Sequence, residues 1–339
     1  MTGKIKNILS VTAVLLGFCL ILSFLTILLQ PKYMTDLVEG SMTSQYYDEA
    51  GGHDVIFIGD CEVYANFVPA ELYRQAGITA YVRGNSQQLI WQSYYLLKET
   101  YRYENPRAVV FNVNAMRYSE PVSEAYNRLM IDKMCWSHEK VEIIRASMTE
   151  EENFLSYVFP ILRYHSRFSQ LTAEDFAYLF REKQNTFQGH LVNTDVKPVE
   201  KLPAKRPLKD YAFADICWEY LDKIRLLCEE NGTELILVKA PSVYPYWYDE
   251  YQTQIEDYAE KHNISFYNLL EVAEDIGIDY QQDTYDGGLH LNLSGAKKLS
   301  VYFADLLAEN HKLEDHRGEN SKFDKLLEDY DKATKIEGE

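Results

Sequence analysis

Cysteine, histidine and aspartate are the residues of this chain whose types and spacing suit nucleophilic chemistry. The run Phe57-Ile58-Gly59-Asp60-Cys61-Glu62 puts a cysteine directly after a short apolar stretch and a glycine. There a chain leaves a buried strand and turns into a helix. A thiol at that turn lies near helix N–H groups, whose positive end favours thiolate and lowers the reference pKa of about 8.5. Near the far end comes Asp283-Thr-Tyr-Asp286-Gly-Gly-Leu-His290-Leu-Asn292-Leu-Ser294-Gly295. A histidine just ahead of a helix start, preceded by aspartates in a glycine-rich loop, offers a base with an orienting carboxylate. The imidazole takes the thiol proton and the carboxylate fixes its tautomer. In purely structural terms, Cys61 reads as a small buried hydrophobe and the Asp/Gly run as ordinary turn chemistry.

Other residues stand where a ligand is expected. Arg83 and Lys239 fall at predicted strand ends, suited to an anionic polymer. Pro241-Ser242-Val243-Tyr244-Pro245-Tyr246-Trp247-Tyr248 follows a predicted strand, and Tyr246 and Trp247 there suit stacking on a sugar or lining an acyl groove. The same aromatics equally suit packing beneath the loop. Cys135, Cys217 and Cys228 have no metal-ligand spacing, and Cys217 and Cys228 share one predicted helix about 16 Å apart along its axis, too far to bridge. No P-loop, dinucleotide fingerprint or His-Glu-x-x-His motif is present. Neither a metal nor a cofactor is expected.

These residues need a scaffold, and alternating strand and helix signals supply one. Val55-Ile56-Phe57-Ile58 is a continuous apolar run ending at Gly59, the pattern of a strand buried on both faces. Further strands are predicted at Ile78–Val82, Ala108–Val113, Glu234–Val238 and Ile264–Leu270. Helices are predicted at Pro69–Gly77, closed by a C-cap glycine, and at Gln88–Tyr103, with Leu89, Tyr95, Leu96 and Leu97 inward. More follow at Phe213–Asn231, Trp247–His262 and Ser294–Asn310. Such alternation means a parallel sheet covered on both faces, with ligands at the carboxyl ends of its strands. Residues 119–209 break into helical pieces, with Thr149-x-x-Glu152 and Thr172-x-x-Asp175 as capping boxes. They read as an insertion over the sheet edge, either a substrate-side lid or a structural cap.

The ends differ in character. Ile8 to Leu29 carries no charge, and as a helix spans roughly 33 Å, enough for the ~30 Å hydrocarbon core. Lys4 and Lys6 precede it, so the positive-inside rule leaves the N-terminus in the cytoplasm and the rest outside. A cleaved signal peptide is the rival, but its apolar region is shorter and ends in small residues. Residues 31–52 are polar and read as a stalk. Residues 313–339 hold nine acids and five bases and read as a solvated tail. The whole chain has 339 residues and a net charge of −18. Removing Lys4 and Lys6, the only charges before Pro31, leaves −20 on residues 32–339. That acidity excludes phosphate-driven nucleic-acid binding and charge-driven docking on anionic lipid.

Together the two chemical blocks resemble the GDSL/SGNH hydrolases. Gly59-Asp60-Cys61 is similar to that family's Gly-Asp-Ser block, with cysteine in place of serine. Gly84, within Arg83-Gly84-Asn85-Ser86-Gln87-Gln88, matches the glycine whose N–H helps bind the oxyanion, and Asp286 and His290 match the last block. The resemblance covers roughly residues 53–311. It is closest to the membrane-anchored Gram-positive envelope group, which includes the D-alanyl transfer protein of teichoic acid modification and relatives associated with acyltransferases. It implies a three-layer α/β, flavodoxin-like fold with a parallel sheet of order 2-1-3-4-5, and ester hydrolysis or acyl transfer. Three departures stand out. Cysteine implies a thioester intermediate. Three residues, not two, separate Asp286 from His290, which brings Asp283 in as a substitute. The Gly-x-Asn-Asp block is missing from Val110-Phe111-Asn112-Val113-Asn114-Ala115-Met116, so Asn112 or Asn114 is expected to supply the oxyanion amide, although direct register puts Met116 there.

The expectation is therefore a tip and anchor at 1–30, a stalk at 31–52, an SGNH-like domain at 53–312 and a charged tail. Its expected function is acyl esterase or O-acyltransferase chemistry on a cell-envelope glycan or teichoic-type polymer, with a membrane-bound O-acyltransferase as the expected partner of the transferase version. The alternative is a non-catalytic scaffold that binds glycan or partners such an acyltransferase.

Overall fold

The computed structural model describes residues 2–30, 33–34, 37–38, 40–180 and 186–335. Residues 31–32, 35–36 and 39 of the expected stalk, 181–185 of the insertion and 336–339 of the tail lie outside the described residues.

Five short strands form one parallel sheet: β1 (Val55–Gly59), β2 (Ala80–Gly84), β3 (Ala108–Asn112), β4 (Glu234–Lys239) and β5 (Ser265–Asn268). Their spatial order is β2-β1-β3-β4-β5, the flavodoxin-like 2-1-3-4-5. Every residue of β1, β2 and β3 is buried, as both-face coverage demands. Side chains alternate between two layers. Val55 and Phe57 face α3 (Cys61–Asn66), α4 (Pro69–Ala76) and α14 (Leu293–Asn310), meeting Val63, Leu72, Leu299 and Phe303. Ile56 and Ile58 face α5 (Ile90–Thr100), α11 (Asp215–Asn231) and α12 (Asp249–His262), meeting Leu97, Leu221 and Ile255. The fold is thus three-layer α/β. The short helix α13 (Ala273–Ile276) precedes the histidine loop.

The insertion does not lie over the sheet as a helical lid. Its helices α6 (Glu124–Ile131), α7 (His138–Ser147) and α8 (Phe154–Val158) build a satellite core of Met130, Ile131, Ile143, Ile144 and Tyr157 against Leu96 of α5. Two further short helices are α9 (Ile161–Tyr164) and α10 (Ala173–Ala177). Thr172 and Asp175 form the expected box at α10. Thr149 and Glu152 close a turn instead, and Asn153 caps α8. An extended part of the insertion, residues 186–199, runs from β2 to the histidine loop. It bonds to β2 through Gln188 and to the histidine loop through Lys197.

The two ends depart from expectation. Within residues 31–52, Tyr33–Met34 pairs with Leu37–Val38, and α2 (Ser41–Glu49) packs into the domain with Tyr46 fully buried. In the tail, α15 (Ser321–Thr334) buries Phe323 and Tyr330 against α4, and the Tyr73 hydroxyl donates to Asp324 at 2.6 Å. Apolar residues at helical spacing, Phe323, Leu327 and Tyr330, suffice to dock a segment that its charge count marks as solvated. The apolar α1 (Thr2–Leu29) is mostly exposed until Leu28 and Leu29, which are buried. Among the described residues it is the one helix long and apolar enough to cross a membrane.

Candidate active site

Cys61 is the first residue of α3, immediately beyond the carboxyl end of β1. Asp60 caps the helix, accepting from the Glu62 N–H at 3.2 Å. Gly84, at the end of the neighbouring strand, pairs with Gly59. A Cβ there would stand 2.1 Å from Val63 Cγ2 and 2.9 Å from the Asp60 carbonyl oxygen, so only glycine lets β2 approach the cysteine turn this closely.

His290 reaches the same place from the loop before α14. Thr284 and Leu291 bridge the two ends of that loop, and Gly288 takes φ +98° within it, with no room for a side chain beside Val243 and Val199. Asp286 holds His290 twice. Its Oδ2 lies 2.6 Å from the ring Nδ1 and its Oδ1 accepts the His290 backbone N–H at 2.9 Å. The three-residue separation therefore closes a complete contact. Asp283 does not substitute: it is buried with Lys298 Nζ at 2.6 Å and the Asp279 N–H at 2.8 Å. The Tyr285 ring stacks on His290 at 5.6 Å and 10°. On the other side of the loop, Asn66 Oδ1 accepts the Leu291 N–H at 2.9 Å, tying it to the far end of α3.

The Cys61 thiol and the His290 ring are close enough for each to shift the other's titration. Burial pushes this thiol up, and although His290 pulls the other way, Asp60 and Glu62 add to the rise. The expected lowering by the helix end does not prevail over this burial. For His290, burial opposes the charged ring, but Cys61 and the Asp286 hydrogen bond outweigh it and hold the imidazole well above its usual range.

Beneath the turn lies a buried polar network. Asn112 Nδ2 donates to Asp60 Oδ1 at 3.1 Å and to Glu62 Oε2 at 2.8 Å, and Asn114 Nδ2 donates to Asp60 Oδ2 at 2.5 Å. Both amides therefore support the cysteine turn in this geometry and do not point to an oxyanion. Lys239 Nζ is fully buried on Glu62, at 3.0 and 3.1 Å from its two oxygens, and is closed to an anionic ligand. Burial, with Glu62 alongside, raises Asp60 to about 6.

Arg83 also stands apart from the site. It is buried in an ion pair with Glu99 at 2.9 Å, donates to the Leu96 carbonyl and Thr100, and lies 3.9 Å over the Tyr46 ring. Trp247 is almost wholly buried among Phe213 and Tyr251, donating to Gln252. Tyr246 lines a cleft of about 430 Å³ with Arg117, Arg206, Tyr244 and Tyr248. Arg117 also borders a second cleft of about 400 Å³ and donates to Asn114 Oδ1 at 3.3 Å, linking both clefts to the Asp60 network. Sequence reading passed over Asn66, Glu62 and Tyr285. Glu62 and Tyr285 adjoin the flagged Cys61 and Asp286, whereas Asn66 gave no local signal.

No protein-family model matches the chain, and no curated protein matches it. Among solved structures it is similar to a candidate acylhydrolase from Bacteroides fragilis NCTC 9343, at 12% identity and a TM-score of 0.39 over 82% of this chain and 98% of that one. It is also similar to a GDSL-like lipase from Bacteroides thetaiotaomicron VPI-5482, at 13% identity and a TM-score of 0.37 over 78% of this chain and 96% of that one.

Proposed function

We propose that the chain is a membrane-tethered acyl esterase or O-acyltransferase acting on an acylated glycan or teichoic-type polymer of the cell envelope. One observation carries the reading: the Asp286 carboxylate grips both the Nδ1 and the backbone N–H of His290, a residue whose charge influences the Cys61 thiol at the end of the central strand. That arrangement fixes the tautomer in which Nε2 can accept a proton.

In the proposed reaction His290 takes the Cys61 proton as sulfur bonds to the acyl carbonyl carbon. The carbonyl oxygen becomes an oxyanion, held by the backbone N–H groups of Gly84 and Cys61. Collapse breaks the ester C–O bond, His290 gives its proton to the departing alcohol, and a thioester remains on Cys61. Water, or an acceptor hydroxyl in the transferase version, then gives up its proton to His290 and attacks the thioester. The acid or new ester leaves and the thiol is restored. Arg117 and Tyr246 in the adjoining cleft suit a polymer segment. The N-terminus would be cytoplasmic and the domain outside, with a membrane-bound O-acyltransferase supplying the acyl donor in the transferase case.

The scaffold reading draws support from the raised Cys61 thiol and from the commitment of Asn112 and Asn114 to Asp60. Full-length protein in detergent, offered a chromogenic acetyl ester, separates the two. Cys61→Ala and His290→Ala should each lose about 10³-fold or more of the turnover. Absence of any turnover, with Cys61 alkylated no faster than an ordinary thiol, would establish the scaffold.

A further inference from the structure

Six large apolar side chains crowd one short part of the insertion: Leu155, Phe159, Leu162, Phe168, Phe176 and Phe180, from 44% to 89% exposed. Residues buried in a core do not explain them, and single exposed apolar residues are ordinary whereas a concentration of this kind marks a contact surface. Their place in the fold points to one occupant. The end of α1 packs on α9, on α10 and on the 3-10 turn His165–Gln170. Arg167, buried and paired with Asp175 at 2.7 Å, donates from Nη1 to the Leu29 carbonyl at 2.9 Å, satisfying one of the last carbonyls of α1. Gln30 Nε2 reaches Asp132 at 3.4 Å. The apolar helix is thus seated directly on the segment that carries the exposed aromatics.

Length then sets depth. At 1.5 Å per residue, Ile8 to Ile27 fills about 30 Å, the hydrocarbon thickness of a bilayer. Leu28 and Leu29 then stand at the headgroup level, together with the elements that bury them. We infer that residues 155–180 form a membrane-interfacial platform, whose aromatic and leucine side chains enter the headgroup and upper acyl region of the same leaflet that α1 leaves. The inference rests on α1 being a membrane anchor. It also accounts for how a domain of net charge −20 sits close to a bilayer: the contact is apolar, and so it tolerates an acidic surface elsewhere. The site is then held at a fixed height above the membrane by two attachments.

Full-length protein in phosphatidylcholine bilayers, doped with a phosphatidylcholine that carries a diazirine near the top of its acyl chain, tests this. After illumination, lipid adducts are mapped by mass spectrometry. Adducts are expected on α1 and on residues 155–180, with none on α12, which flanks the β5 edge. Phe168→Asp combined with Phe180→Asp, both at exposed positions, should lower labelling of 155–180 by about threefold or more and leave α1 labelling unchanged. Adducts on α1 alone would overturn the platform while leaving the anchor intact. Absence from α1 as well would overturn the anchor and the platform together. In native membranes carrying the same lipid, capture of a protein on 155–180 in place of lipid would overturn the lipid assignment.

Discussion

Asn66 Oδ1 accepts the backbone N–H of Leu291 at 2.9 Å, so the helix that begins with Cys61 ends by holding the residue next to His290. One six-residue helix therefore sets both partners of the proposed proton transfer. Asn66→Ala should lower kcat on the chromogenic ester by roughly 10- to 100-fold with little change in KM, because a loose His290 loop misplaces the base. The accompanying loss of one buried hydrogen bond should cost about 1–3 kcal/mol in denaturant unfolding. Equal kcat in the variant would show that α3 does not position the histidine.

Lys239 and Glu62 form a fully buried ion pair below the cysteine turn. Lys239→Met should destabilise the fold by about 3–5 kcal/mol, since it leaves Glu62 buried without its cation. Lys239→Met with Glu62→Gln should recover most of the loss. A double variant as unstable as the single one would place the cost elsewhere, and thermal unfolding of the three proteins decides it.

Asp60 gives a pH signature. Burial and Glu62 raise its folded pKa to about 6, above an unfolded value of about 3.8. Between those values the folded state binds more protons than the unfolded one, so this group's contribution falls as pH rises from about 4 to 6. Relative to Asp60→Asn, the wild type should lose stability across that window and run parallel to the variant above and below it. Parallel curves throughout would show that Asp60 is ionised in the folded state as it is in the unfolded one.

Asp286 gives a second. Although burial opposes the charged ring, Cys61 and the Asp286 hydrogen bond hold His290 well above the usual histidine range. Asp286→Asn removes one of those supports, so the imidazole pKa should fall. The acid limb of kcat/KM should move to lower pH as the plateau drops. A limb that stays in place would assign the titration to another group.

Much of this was legible in the residues themselves. The run Val55–Ile58 announces a strand buried on both faces, and the alternating signals announce a parallel sheet, whereas its 2-1-3-4-5 order is what the family resemblance implies and the structure has. Asp286 pairs with His290, and Cys61, more than two hundred residues earlier in the chain, lies close enough to feel the His290 charge. Arg83 was misjudged although the strand period shows where it goes: Tyr81 and Arg83 share one face of β2, and Tyr81 belongs to the core on the α5 side, away from α3. Its ring partner Tyr46 was hidden in a segment whose polarity suggested a stalk. Composition averaged away the two buried aromatic positions of α15, Phe323 and Tyr330, in the same manner. Lys239, Asn112 and Asn114 were sound choices of position, at strand ends beside the cysteine turn. Their commitments to Glu62 and Asp60 are tertiary pairings between distant segments that no local pattern encodes.

The central claim is that Cys61 carries the acyl group, and trapping that intermediate tests it most directly. Full-length protein is mixed with an activated acetyl ester, quenched in acid, digested and read by mass spectrometry. Acetyl on the Cys61 peptide, labile to hydroxylamine, is predicted in the wild type and is predicted to be lost in Cys61→Ala. Ester turnover that continues in Cys61→Ala, with the wild-type Cys61 unmodified, would contradict the account.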